Sequence, residues 1–277
     1  MLKSVLVAID GTDAALSGLA LARRLAQRHG AKLTGLAVVD VPFITAPEAT
    51  PIGGSYYKAH KDADLVKRAD EQARTMLAVF DADCRRDGVA STALEREGDP
   101  YEHLLGLVDV HDLVVIGRDT SFHSVASDAV TATVNRLLKD NPRPIVVTPA
   151  ASSVSDVTVV AYDGSIPSMR ALQMLALLGI ALSGQTHIVT VRDDERDASA
   201  IAQRAQAFLQ LYGIAAEAHP IGTARHAADV LVERARDLKA GLLAMGAFGH
   251  RGWRELLLGS ATSRLLDSAA TALFVHH

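Results

Sequence analysis

Several features that would place a protein in a special class are missing from this chain of 277 residues. A single cysteine, Cys84, excludes an internal disulfide and a cysteine-rich metal site. A net charge of −4 and an isoelectric point near 6.2 give no electrostatic indication of binding to nucleic acid or anionic lipid. The longest apolar run, Met174 to Leu182, is far too short to span a bilayer. We therefore expect no nucleic-acid partner and no membrane association.

Sequence motifs of several other classes are also absent. The segment from Met1 to Asp10 reads as a strand and lacks the apolar region of a signal peptide, so we expect a cytoplasmic protein. The histidines are scattered, with one dense pair at His276 and His277. No His-Glu-x-x-His motif and no Gly-x-Ser-x-Gly elbow is present. We predict neither a metal site nor a catalytic triad.

What the chain does contain is an internal repeat. The segment around Asp10 returns around Asp163, an offset of 153 residues, and the apolar run ending at Gly117 returns as the run ending at Gly246, an offset of 129 residues. The first copy is therefore longer, mostly in the loop from Pro42 to about Asp70. The repeat predicts two equivalent domains, 1–149 and 156–277, joined by a linker over 149–156.

Each copy alternates strand and helix patterns, which favours parallel strands joined by right-handed crossovers and hence an α/β fold. We predict strands near 4–9, 33–39, 92–96, 112–116 and 144–148, and then near 156–162, 186–191, 216–220, 241–245 and 272–276. We predict helices near 13–29, 60–87, 101–110 and 124–139, and then near 167–182, 198–212, 224–238 and 255–268. Helix C-termini are expected at Gly30, Gly88, Gly184 and Gly213.

The most informative segment runs from Gly246 to Ser260. An apolar run typical of a buried strand precedes it, Gly249 and Gly252 lie within it, and a helical pattern from Arg254 to Asp267 overlaps its end. Glycines that turn with positive φ, followed by a helix N-terminus, suit a bound phosphate. The alternative is that the glycines merely turn the chain. No Gly-Lys-Ser/Thr follows them, so this is not the loop of P-loop enzymes.

The spacing Gly-x2-Gly-x9-Gly-Ser, with Met245 before it and Ala261-Thr262-Ser263-Arg264-Leu265-Leu266 after it, resembles the ATP-binding signature of the universal stress protein family. The resemblance covers both copies. It implies two tandem flavodoxin-like domains, of the adenine-nucleotide α-hydrolase-like kind, each with a five-stranded parallel sheet between helices. It also implies a pseudo-dimer formed through the last strands, and ATP, ADP or AMP bound with Mg²⁺ in the second copy.

These residues predict a nucleotide site in the second copy. The resemblance implies that Asp163 contacts the ribose and that the backbone of Val191 contacts the adenine edge. Alternatively, Asp163 caps the next helix, a role that Ser165 could equally fill. His250 and Arg251 either reach the phosphates or form a solvated pair. The predicted cofactor-binding set is Asp163, Val191, Met245, Gly246, Gly249, His250, Arg251, Gly259, Ser260, Ala261 and Thr262.

The first copy departs from this signature. Thr120 replaces the second glycine, and Thr131 and Ala132 stand where Gly259 and Ser260 do. A side chain at Thr131 would intrude on a phosphate, and Ala132 lacks a hydroxyl donor. Nearby Asp119 and Asp128 repel an anion, which Arg118 and His123 partly offset. We expect a structural role for the first copy, or a different ligand.

The segment 42–60 is too long and apolar for an ordinary connector. It includes three prolines and Phe43, Ile44, Ile52, Tyr56 and Tyr57. It either covers the crevice expected at the carboxyl ends of the first copy's strands, packs on the second copy, or contacts another chain.

Three functions remain open. The preferred one is a stress-response protein that binds ATP in its second domain and acts as a nucleotide-gated regulator or chaperone-like factor on a protein partner, with at most slow ATP hydrolysis. The first alternative is an ATPase or phosphotransferase whose first domain supplies the acceptor site. The second is a sensor that holds an apolar ligand beneath the 42–60 segment. A further homo-dimer is compatible with each of them.

Overall fold

The computed structural model describes residues 1–48, 55–123, 131–151, 155–247 and 260–277. The strands of the first half are β1 (Ser4–Ala8), β2 (Lys32–Val39), β3 (Ser91–Glu97), β4 (Leu113–Gly117) and β5 (Ile145–Thr148). Its helices are α1 (Asp13–His29), α2 (Val41–Ile44), α3 (Ser55–Arg86), α4 (Pro100–Leu105) and α5 (Ala132–Asp140), with a 3-10 turn at Val108–Val110.

The second half follows the same order without counterparts of α2 and the 3-10 turn in its described residues. Its strands are β6 (Thr158–Ala161), β7 (Thr186–Arg192), β8 (Ala216–Gly222), β9 (Leu242–Gly246) and β10 (Ala272–His276). Its helices are α6 (Ile166–Leu178), α7 (Glu195–Leu211), α8 (Ala227–Asp237) and α9 (Ser260–Ser268).

The ten strands form one sheet in the order β3-β2-β1-β4-β5-β10-β9-β6-β7-β8. Each half is parallel throughout, and its strand order is 3-2-1-4-5 in its own numbering, the order of Rossmann-type sheets rather than the flavodoxin-like 2-1-3-4-5 that the resemblance implied. The halves meet where β5 and β10 pair antiparallel, with Val146 opposite Phe274. This edge-to-edge junction makes the two halves a pseudo-dimer, so the predicted α/β class and the pseudo-dimer are confirmed.

The strand register reproduces the sequence repeat. Val5 of β1 pairs with Leu113 of β4, and Thr158 of β6 pairs with Leu242 of β9. The offset is 153 residues between the first strands and 129 residues between their partners, the same two values that the sequence shows. The two halves are therefore equivalent in register as well as in strand order.

The hydrophobic core lies on both faces of the sheet. One cluster contains Leu2, Phe80 and Phe274, and the other contains Leu6 and Leu137. Each cluster includes residues from both halves, so apolar burial continues across the β5–β10 junction. Strands buried on both faces explain why β4 and β9 read as uninterrupted apolar runs.

Several helix boundaries differ from the prediction: α3 begins at Ser55, α4 ends at Leu105, and α5 and α6 differ as well. Helix α6 ends at Leu178 because Gly179 adopts the left-handed conformation, with φ of 69°. Gly184, predicted at this boundary, is instead needed where the chain passes Asp156, since a Cβ there would lie 2.6 Å from the Asp156 carbonyl oxygen. Helix α5 begins at Ala132 rather than near residue 124; residues 124–130 lie outside the described part.

Within the part of the chain that the structure describes, no helix combines the length and the apolar character needed to cross a membrane.

Candidate functional site

The candidate site of the second half lies at the carboxyl ends of β6, β7 and β9. The central strand β6 has β9 on one side and β7 on the other. Asp163, Val191 and Gly246 therefore lie at the same edge of the sheet, at the point where the strand order reverses. Ligands bind at such switch points in open α/β sheets. We call this place the second crevice, and its equivalent at β1, β2 and β4 the first crevice.

The Asp163 carboxylate is held by the turn that leads into α6. Its Oδ1 accepts a hydrogen bond from the Ser165 backbone N–H at 3.0 Å. The N-cap of α6 is Ser165, whose Oγ accepts from the Ser168 N–H at 3.4 Å. The capping role that was an alternative for Asp163 thus belongs to Ser165.

The Asp163 carboxyl is favoured in its charged form. Burial, the largest influence, raises its pKa, but hydrogen bonds from Ser165 and Ser168 and the charge of Arg192 outweigh burial, so the pKa is lowered. At neutral pH this group is a carboxylate, which is an acceptor for hydroxyl donors.

Arg192 is a residue of the second crevice that the sequence analysis missed. It ends β7, and its Nη2 donates a hydrogen bond to the Asp163 carbonyl oxygen. Its buried Nε has no hydrogen-bond partner among the described residues and lies 3.7 Å from an Asp197 oxygen. The sequence feature that could have identified Arg192 is its position directly after Val191, at the carboxyl end of a predicted strand.

Glycine is required at position 246 for a different reason from the predicted one. It does not adopt positive φ. A Cβ on it would lie 2.3 Å from the Pro167 carbonyl carbon and 2.4 Å from the Ser168 nitrogen, so α6 approaches β9 too closely for a side chain. Gly117 meets the Ala15 nitrogen of α1 in the same way, at 2.6 Å. This first glycine of the motif therefore serves helix packing in both halves.

Much of the glycine segment falls outside the described residues. Gly249, His250, Arg251 and Gly259 lie there, and so does Gly252. Ser260, Ala261 and Thr262 form the first turn of α9, but their side chains are outside the described part. Met245 is buried in β9. Of the predicted set, the topology thus brings together Asp163, Val191, Met245 and Gly246.

The first crevice is occupied by its own loop. Asp10 Oδ2 accepts hydrogen bonds from the backbone N–H groups of Ser121 at 3.1 Å and Phe122 at 3.5 Å. Asp10 Oδ1 accepts from Thr12, from its nitrogen at 3.1 Å and its hydroxyl at 2.9 Å. Both carboxylate oxygens are therefore engaged, and burial raises the pKa of Asp10.

Thr131 reinforces this arrangement. Its hydroxyl donates to the Thr120 carbonyl oxygen at 2.6 Å and accepts from the Val134 N–H at 3.4 Å, which makes Thr131 the N-cap of α5. The side chain predicted to block a phosphate instead ties the loop after β4 to the next helix.

The described start of the 42–60 segment covers the first crevice. Phe43 of α2 stacks on His123 with ring centroids 3.6 Å apart, and His123 Nε2 lies 2.7 Å from Asp40 Oδ2. Arg118 does not offset negative charge there as expected, because it donates to the carbonyl oxygens of Leu266 and Asp267 at the end of α9. Residues 49–54 lie outside the described part.

Comparison with known proteins agrees with this fold. The family model described as "Universal stress protein family" matches residues 1–148 and again 156–276. The chain is 27% identical over 278 residues to Universal stress protein Slr1230 of Synechocystis sp. (strain ATCC 27184 / PCC 6803 / Kazusa), with 96% of each chain covered.

Solved structures share the whole architecture. A universal stress protein from Archaeoglobus fulgidus DSM 4304 superposes with a TM-score of 0.71 at 17% identity, over 99% of this chain and 97% of that one. A protein of unknown function from Pseudomonas aeruginosa PAO1 gives a TM-score of 0.57 at 15% identity, over 99% and 92%. With a family match in each half, the chain belongs to the universal stress protein family.

Proposed function

We propose that the protein binds one adenine nucleotide, ATP in particular and with Mg²⁺, in the second crevice, and that occupancy of this site gates its interaction with a protein partner. The observation that carries the proposal is the contrast between Asp163 and Asp10. Among the described residues, the first is a charged carboxylate held by the turn before α6, whereas the second has one oxygen held by Thr12 and the other by the loop after β4.

The proposal assigns a role to most of the predicted residues. Asp163 accepts hydrogen bonds from the ribose hydroxyls, and the backbone of Val191 contacts the adenine edge. The glycine segment with Gly249 and Gly259 surrounds the phosphates, and Ser260, Ala261 and Thr262 offer N–H groups of the α9 N-terminus. Because α9 begins at Ser260, the positive end of its dipole supports this assignment.

The two halves have different tasks in this proposal. The first domain, residues 1–149, has a structural role, and the second, residues 156–277, carries the nucleotide. The hydrogen bonds of Asp10 and Thr131 in the first crevice support this division. We place the protein in the cytoplasm.

Nucleotide titration of the full chain tests the proposal. Protein freed of bound small molecules should take up one equivalent of ATP by calorimetry and retain it with little turnover. Mass spectrometry of the molecules released from freshly purified protein should identify an adenine nucleotide. Absence of ATP binding would overturn the assignment of the second crevice as a nucleotide site. Sustained Mg²⁺-dependent turnover would instead favour an ATPase or phosphotransferase.

A further inference from the structure

Three side chains with metal-binding atoms meet on the two outermost strands of the second half. His187 is the second residue of β7 and pairs in register with Glu217 of β8. Glu217 and His219 are two residues apart on one strand, so they point to the same face of the sheet. No other group of this kind occurs in the described ranges of the chain.

The distances within this trio suit a small metal ion. His187 Nδ1 lies 2.9 Å from His219 Nε2, and the Glu217 oxygens lie 3.5 Å from His187 Nδ1 and 3.7 Å from His219 Nε2. A tetrahedral zinc ion with bonds of about 2.0–2.1 Å holds neighbouring ligand atoms about 3.3 Å apart. The three donor atoms therefore need only small side-chain adjustments to share one ion.

We propose that His187, Glu217 and His219 form a binding site for a divalent transition-metal ion, zinc in particular. Two imidazoles and one carboxylate are ligands that zinc accepts, and three protein ligands leave a fourth position for water. The hydrogen now shared between the two ring nitrogens must move to another ring nitrogen or to solvent when both nitrogens coordinate the ion.

The surroundings offer an entry path for the ion. The His187 side chain is buried, His219 is partly exposed, and the Glu217 side chain is 67% exposed. A bound ion would therefore be anchored on the buried side and face solvent on the other. Arg234 of α8 is a nearby cation that repels positive charge at His219, and the Glu217 carboxylate, whose influence on His219 is larger, opposes this repulsion.

The site is separate from the second crevice. Along β7 it lies five residues before Arg192, about 16 Å away at the rise of an extended strand. It ties β8, the edge strand of the ten-stranded sheet, to its neighbour β7. An edge strand has one side without a strand partner. Metal binding is therefore expected to stabilise this end of the sheet, independently of any nucleotide.

The test uses the full chain after removal of metal with a chelator. Zinc titration against a chromophoric competitor should give one equivalent per chain, and zinc should raise the melting temperature. Cobalt(II) should give the strong visible absorption of a four-coordinate site. His219→Ala and Glu217→Gln should each weaken zinc binding by more than the roughly 10- to 100-fold that is lost when a hydrogen-bond partner of a metal ligand is removed. Neither variant changes the buried His187.

The matched control is His60→Gln, which removes an exposed histidine of α3. It should leave zinc affinity, cobalt absorption and the melting shift as in the unmodified protein. Circular dichroism checks that each variant is folded; if His219→Ala does not fold, Glu217→Gln supplies the comparison. Equal zinc affinity in a folded trio variant and in the control, or no stoichiometric binding by the unmodified chain, would overturn the proposal.

Discussion

Asp10 and Asp163 occupy equivalent positions in the two halves, yet their carboxyl groups are perturbed in opposite directions. Burial raises the pKa of Asp10, whose oxygens accept four hydrogen bonds from Thr12, Ser121 and Phe122. The pKa of Asp163 is lowered because Ser165, Ser168 and Arg192 outweigh its burial. Within the described residues, the same residue type thus holds the loop after β4 in the first half and is a carboxyl group favoured in its charged form in the second.

The first prediction compares Asp163→Asn with Asp10→Asn. We expect Asp163→Asn to weaken ATP binding roughly 10- to 100-fold, since a hydrogen bond to a charged group contributes about 1.5–3 kcal/mol. Asp10→Asn should leave ATP affinity unchanged but lower the free energy of unfolding by about 1–3 kcal/mol, because the amide cannot accept at both positions. Calorimetry and urea unfolding measure the two effects. Equal losses of affinity in both variants would contradict the assignment.

The second prediction concerns stoichiometry. Gly259→Val should abolish ATP binding, because its side chain occupies space that a phosphate needs. The reciprocal change, Thr131→Gly, should not create a second site, since Asp10 and the loop after β4 still fill the first crevice. It should cost about 1 kcal/mol of stability, mostly through loss of the hydrogen bond from the Thr131 hydroxyl to Thr120, because glycine is itself tolerated at an N-cap. Two equivalents of ATP bound by Thr131→Gly would show that Thr131 alone blocks the first site.

The third prediction concerns the glycine that ends the fourth strand of each half. Gly246→Ala and Gly117→Ala should each destabilise the fold by about 1–3 kcal/mol or more, because the added Cβ meets helix backbone at 2.3 Å and 2.6 Å. The control is Gly213→Asn, at φ of 72° with no atom within 4 Å of a Cβ, where asparagine is tolerated. Denaturant midpoints compare the three. A neutral Gly246→Ala would imply that α6 can move away from β9.

The fourth prediction concerns acid stability. Burial, His277 and Arg170 lower the pKa of His276 to about 4 from an ordinary 6.5, so the folded chain holds this imidazole neutral. Between these values the unfolded chain binds more protons, and stability must fall as the pH falls from about 6.5 towards 4. His276→Gln should reduce this loss. Unfolding free energies at pH 7 and pH 4.5 measure it, and identical pH slopes for both proteins would contradict the role of His276.

The sequence alone showed the repeat, and it predicted the alternation of strands and helices and the parallel pairing of strands within each half. These depend on short-range patterns: β4 and β9 are apolar because both faces are buried, and Gly30 ends α1 because it adopts positive φ. Gly184 misled the prediction for α6, because a glycine required by close backbone approach looks the same in sequence as a cap. The boundary of α5 was missed because Thr131 caps it through a local hydrogen bond.

Contacts between distant segments could be seen only in the tertiary structure. The engagement of Asp10 by Ser121 and Phe122 joins groups more than 110 residues apart, and His187 meets His219 only because β7 and β8 are neighbours. Strand order and register decide such meetings, and no local pattern encodes which side chains lie opposite each other. The sequence therefore determined the family and the repeat and predicted a nucleotide site, whereas the packing decided that the first crevice is filled and that His187, Glu217 and His219 converge.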